Sequence, residues 1–90
     1  MNSVHVSATL TKDPICNKGS VILKLSYNKT SGKKYYITAV ANGNVAKSMK
    51  LLVKGDTIWV DGRLSGFKSD KWKCYIEITE YECITKAERE

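Results

Sequence analysis

The sequence predicts an all-β domain: a five-stranded Greek-key barrel with one short helix between the third and fourth strands. Three observations lead there. Several short segments alternate strictly between apolar and polar residues. Turn-forming residues separate those segments. One stretch alone, after Asn42-Gly43, spaces its apolar residues as a helix does. At 90 residues the chain fits a single domain with a thin stability margin. A closed barrel suits that limit because it pairs its own edges.

The first strand runs from Val4 to Leu10, with Val4, Val6, Ala8 and Leu10 on one face and His5, Ser7 and Thr9 on the other. Lys12-Asp13-Pro14 reads as its end, because proline cannot donate to a ladder. Asn17-Lys18-Gly19-Ser20 supplies a further turn signal. A second strand covers Val21 to Tyr27, with Val21, Leu23, Leu25 and Tyr27 sharing one face. Asn28 to Gly32 reads as a polar hairpin loop, and Tyr35 to Ala41 as a third strand rich in β-formers. Val45, Met49 and Leu52 then mark the helix, with Asn42 or Asn44 as its N-cap and Gly55 as a C′ residue. In the fourth strand, Thr57 to Leu64, Ile58, Val60 and Leu64 point one way, and Trp59, Asp61 and Arg63 the other. Ser65 to Lys71 reads as a polar loop. The last strand, Trp72 to Ile84, needs a bulge, because its apolar parity shifts after Ile78. Residues 1–85 are thus one domain and residues 86–90 a short frayed terminus. Five strands with a helix between the third and fourth describe an OB-fold.

Charge distribution narrows the function. The net charge is +6, and from Lys18 to Gly55 there are eight lysines and no acidic residue. From Cys74 to Glu90 the balance reverses, with five acidic against two basic residues. A basic centre with an acidic end points to a polyanionic partner; the plainer reading is a solvated lysine surface.

Four segments, taken in order, resemble bacterial single-stranded-DNA-binding proteins. Asn2 to Val4 and Leu10-Thr-Lys-Asp-Pro14 are similar to that family's opening strand and its L-x-x-D-P turn. Gly43-Asn-Val-Ala46 with Val53-Lys-Gly-Asp56 resembles its G-x-x-A and K-G-D segment. Ile58 to Leu64 resembles its V-x-V-x-G-R-L strand, and Tyr75 to Ile78 the start of its fifth. The small primosomal protein PriB shares the fold. The sequence departs from the family pattern at Ala8, where glycine is usual, at Asn42, where an aromatic is usual, and near Ser31, where a stacking Trp has no counterpart. The family's Gly/Pro-rich tail with its acidic tip has no counterpart in these residues, which puts recruitment through such a tail in doubt.

The resemblance implies non-catalytic binding of single-stranded DNA in replication, recombination or repair, by a homo-oligomer (dimer or tetramer). Bases would stack on aromatic rings while lysines contact phosphates. Tyr36 aligns with a stacking Trp of the family. If Ile37, Ala39 and Ala41 face the core, Tyr36 faces the groove. Tyr27 has core parity but ends its strand, so packing and DNA contact stay open. Phe67 and Trp72, with Lys68, Lys71 and Lys73, are expected to reach DNA from the fourth-to-fifth loop, against packing at its mouth. Lys24, Lys33 and Lys34 are expected at phosphates. Trp59 faces outward on the strand that the family uses in assembly, and is assigned to an oligomer or partner interface. The alternative function is a PriB-like accessory subunit whose main task is gripping a replication protein such as a polymerase, primase or helicase. An RNA-binding, cold-shock-like role ranks third, for lack of RNA-binding aromatic motifs.

Nothing points to an active site or cofactor. One histidine, His5, sits in a strand, and no phosphate loop or nucleophile motif is present. Cys16, Cys74 and Cys83 cannot all pair and form no C-x-x-C motif, which suits free thiols in a reducing cytosol. Cys74 and Cys83 are nine apart, which on a regular strand puts them on opposite faces and makes a shared metal improbable. Met1 to Leu10 lacks the apolar stretch of a signal peptide, and no apolar run is long enough to cross a membrane.

Overall fold

The computed structural model describes residues 3–67 and 70–87, with side chains described for 3–66 and 74–87. The elements are β1 (Val4–Leu10), β2 (Ile15–Asn17), β3 (Ser20–Asn28), β4 (Lys34–Asn42), α1 (Gly43–Met49), β5 (Thr57–Phe67) and β6 (Asp70–Thr85). The sheet order is β1-β5-β6-β4-β3-β2, and β1 also pairs β3, which closes a barrel. All pairings are antiparallel except β4 with β6. The expected all-β barrel with one short helix is the fold found.

The proline does not end the first strand for good. Leu10 pairs Leu25 of β3, and after Thr11 to Pro14 the chain returns to the same neighbour, with Ile15 opposite Ile22 and Asn17 opposite Ser20. β1 and β2 therefore act as one strand interrupted by four residues, and the barrel keeps its five-strand plan. Lys18 and Gly19, with φ of 46° and 84°, make the tight turn that returns the chain into β3.

The motif segments that lie far apart in sequence clamp each other here. Lys54 N–H donates to the Asp13 carboxylate at 2.8 Å. Gly55 N–H donates to the Leu10 carbonyl at 2.9 Å, and Leu10 N–H to the Asp56 carbonyl at 2.9 Å. The buried Asp56 carboxylate accepts from Val53 N–H at 3.0 Å and from Ala87 N–H at 2.7 Å. Charge-assisted bonds of this kind outweigh neutral ones and anchor the chain after β6. Gly55 is thus not the helix C′ residue. α1 ends at Met49 with Lys50 as its C-cap, and Gly55 adopts φ 95° in the turn into β5. Asn42 takes the N-cap position, but its side chain accepts from Ser20 Oγ instead of capping the helix.

The core follows the predicted alternation: Ala8, Leu10, Val21, Leu23, Leu25, Ala39, Ala41, Ile58, Val60, Ile76 and Ile78 are buried, with Ala46, Met49 and Leu52 closing one end. The expected bulge lies where Asp61 pairs Glu80 and Gly62 pairs Ile78, leaving Thr79 extra on β6. Its hydroxyl donates to the Asp61 carbonyl at 2.8 Å. Beyond Thr79, Tyr81 and Cys83 take over the core-facing side. The bulge also corrects the cysteine geometry. Cys74 has the parity of Ile76 and Ile78, so it and Cys83 fall on the same face of β6, at distant points along it.

Two further expectations change. The described residues of the predicted polar loop from Ser65 to Lys71 belong to β5 and β6, paired from Leu64–Ile76 to Phe67–Asp70. Leu64 has core parity but lies in this β5–β6 arm, outside the barrel, and is exposed.

Candidate nucleic-acid interface

β3 and β4 present their outward residues as two adjoining files. On β3 these are Ile22, Lys24, Ser26 and Asn28; opposite them on β4 stand Val40, Thr38, Tyr36 and Lys34. None is acidic. Tyr36 is 72 % exposed, an apolar ring area left in water without local cover. Lys24 Nζ donates to Thr38 Oγ1 at 3.0 Å, which holds the ammonium against this face, one register step from Tyr36. Tyr36, Lys24 and Lys34 are therefore brought together on one side of the sheet, as expected.

Tyr27 and Tyr35 are not on that side. They pair across β3 and β4 on the inward face, with rings stacked at 5.6 Å and 20°. Tyr27 packs against the core. Lys29 and Lys33 extend their ammonium groups over the Tyr35 ring, at 4.8 and 5.7 Å. This arrangement collects lysines around the β3–β4 turn, where Gly32 at φ 83° closes the hairpin. A cleft of about 330 Å³ lies beside it, lined by Ser7, Thr9, Ser26, Tyr27, Asn28 and Lys34 among others. The remaining lysines of the acid-free stretch, Lys18, Lys47, Lys50 and Lys54, belong to the β2–β3 turn, to α1 and to the segment after it, at the Asn42 end of β4. The acid-free run thus divides between the two ends of β4.

The expected contacts Phe67, Lys68, Lys71, Trp72 and Lys73 lie outside the described residues as far as their side chains are concerned. The backbone places Phe67 at the end of β5 and Lys71, Trp72 and Lys73 near the start of β6.

Residues the sequence reading did not single out complete the face. Val40 pairs Glu77 of β6, and Glu77 pairs Arg63 of β5. Arg63 Nη2 donates to Glu77 Oε1 at 3.3 Å, and Ser65 Oγ to Glu77 Oε2 at 3.2 Å. The Arg63 hydrogen bond first, then that from Ser65 and the Arg63 charge, hold the Glu77 carboxyl below its ordinary range. Tyr75 stands opposite Ser65, two residues from Glu77 and on the same outward side. Alternation back from Glu77 would have found Tyr75; the Arg63–Glu77 pair needed the register of β5 against the bulged β6.

Trp59 faces away from the core on β5, as expected, between Ser7 of β1 and Glu82 of β6. It stacks on His5, with centroids 6.0 Å apart and 24° between planes, and His5 Nδ1 lies 3.2 Å from Asp61 Oδ1. Exposed Glu80 and Glu82 border this second face, so its charge is opposite to that of the β3–β4 face. Among the described residues no His, Cys, Asp and Glu group could hold a metal ion, and no helix is long and apolar enough to cross a membrane.

A closed five-strand barrel with a helix between its third and fourth strands and an exposed aromatic beside lysine on the second and third is the architecture of an OB-fold domain. Solved structures of similar fold include the SSB domain of a Synechococcus protein, with TM-score 0.78 and 18% identity over 90% of this chain and 93% of that one. A single-stranded DNA binding protein from Thermus aquaticus aligns over 100% of this chain and 43% of its own length, with TM-score 0.73 and 24% identity. The N-terminal domain of PriB from Thermoanaerobacter tencongensis, described as dimeric, aligns over 94% and 98%, with TM-score 0.77 and 13% identity. The chain matches no protein-family model and no curated protein sequence. At these identities the likeness is one of fold.

Proposed function

We propose that this chain binds single-stranded DNA without catalysis and largely without regard to sequence, as a cytoplasmic protein of replication, recombination or repair. The observation that carries the reading is Tyr36, 72 % exposed among the outward residues of β3 and β4, none of them acidic, and one register step from an anchored lysine. A flat ring accepts any base, because every base has a π-face, and stacking is worth about 1–3 kcal/mol per base. Lys24, Lys33 and Lys34 supply the phosphate contacts, and Phe67, Lys68, Lys71, Trp72 and Lys73 are assigned to the same track from the sequence. Two of the similar structures are named for single-stranded DNA binding, which agrees with this reading.

Titration with oligo-dT, followed by tryptophan fluorescence over a salt series, tests it. Quenching that weakens steeply with salt is expected, because each phosphate contact releases counterions. Absence of binding at micromolar protein in low salt would sink the proposal.

Trp59 is assigned to assembly. The ring lies on the other face of the molecule, bordered by Asp61, Glu80 and Glu82, which repel a polyanion. A protein surface is the better match, and a second copy is the occupant proposed; one of the similar structures is described as a dimer. Sedimentation checks this: Trp59→Arg should shift the mass towards the monomer, and an unshifted mass removes Trp59 from the interface.

A further inference from the structure

One row of outward residues crosses the sheet from β2 to β5: Ile15, Ile22, Val40, Glu77 and Arg63, each opposite the next. Glu77 places a carboxylate at the border of an otherwise acid-free face, about 13 Å along the strand direction from Tyr36 by strand rise. A strand of DNA that runs along β4 from Tyr36 towards Val40 passes beside it. The pair it forms is exposed: the Arg63 side chain is 60% accessible and that of Glu77 34%. Exposed pairs of this kind add about 0–1 kcal/mol to stability, so folding is a weak reason for a carboxylate in that place.

We propose that Arg63 is a further phosphate-contacting residue and that Glu77 is its exchangeable counterion. This rests on the single-strand reading. In the free protein the guanidinium lies on Glu77 Oε1. When DNA arrives, a phosphate oxygen replaces the carboxylate as acceptor. Glu77 keeps its bond from Ser65 Oγ at Oε2, so the released carboxylate remains partly satisfied. No covalent bond changes. The exchange tempers affinity and favours release, because every phosphate must compete with an acceptor already in place. It also leaves a signature in salt dependence. The phosphate loses a condensed cation as Arg63 arrives, and the freed carboxylate attracts one, so the two effects oppose each other.

The test is an oligo-dT titration over a salt series with the unsubstituted chain, Glu77→Gln, and Arg63→Met/Glu77→Gln. Removing the competing carboxylate should tighten binding about three- to tenfold at low salt and steepen the log–log salt slope by about 0.7, the value for one phosphate contact on a single strand. Adding Arg63→Met to Glu77→Gln should return the slope to that of the unsubstituted chain. Arg63 is exposed and Glu77 half-buried, and a pair of this kind adds about 0–1 kcal/mol, so similar melting temperatures are expected for all three proteins. An unchanged slope in Glu77→Gln, or a slope in the double variant as steep as in Glu77→Gln, would overturn the assignment and leave the single-strand reading intact. No binding by the unsubstituted chain would overturn both.

Discussion

Gly62→Ala should lower the melting temperature by about 15 °C or more, if the protein folds at all. A Cβ on Gly62 would stand 2.1 Å from the Glu77 carbonyl oxygen and 2.9 Å from its carbon. Both atoms are backbone, in a β6 held by β4 and β5 alike, so no flexible side chain can move aside. Overpacking in a core costs about 1–3 kcal/mol where side chains can adjust. Here two strands must part, and a loss of about 3 kcal/mol or more is expected, each kcal/mol being worth about 4–8 °C in a domain of this size. Gly62 shows no left-handed backbone, so the requirement is space and not conformational freedom. Thermal unfolding followed by circular dichroism checks this, and a shift under about 5 °C, roughly one kcal/mol by the same scale, would show that the strands yield easily.

This glycine was visible as part of Ile58 to Leu64, yet its reason was not. Alternation located the inward residues of β1, β3, β4 and β5 because each strand has one face on the core and one in water. Where that condition lapses, the sequence misleads. The β5–β6 arm projects past the barrel, so Ser65 and Gly66 carry no strong apolar period and read as loop, and Leu64, read as inward, is exposed. Pro14 read as a terminator because a local rule cannot foresee that the chain resumes its old partner one residue later. Gly55 fitted a helix end by spacing, but its N–H is needed by Leu10.

The candidate site divides in the same way. Parity and resemblance together placed Tyr36 outward, and Lys24 and Lys34 follow from the same alternation. Tyr27 could not be decided from parity alone, since a strand-end residue can cover the core or leave it; its partner Tyr35 settles it inward. Arg63 and Glu77 meet only through the pairing of two strands that shift register twice between Thr57 and Gly62. No local pattern encodes such a meeting.

Tyr36→Ala should weaken oligo-dT binding about 5- to 150-fold, the equivalent of about 1–3 kcal/mol for one lost stacking platform. The melting temperature should stay within about 2 °C, since a ring that is 72 % exposed contributes little burial. The salt slope should also stay unchanged, because the ring carries no charge and releases no counterion. That combination separates stacking from phosphate contact: Lys24→Ala should do the reverse and flatten the slope. Tyr27→Ala is the contrast within the aromatic set. Its ring is stacked on Tyr35 and packed against the core, so stability falls first, and any loss of affinity follows from that. Tyr36→Phe should bind as the unsubstituted chain does, because the hydroxyl is not required for stacking. Unchanged affinity in Tyr36→Ala would remove the β3–β4 face from the nucleic-acid track. The lysines around the β3–β4 turn and the β5–β6 arm would then have to carry the binding, with a salt slope as steep as before and no aromatic contribution from the sheet.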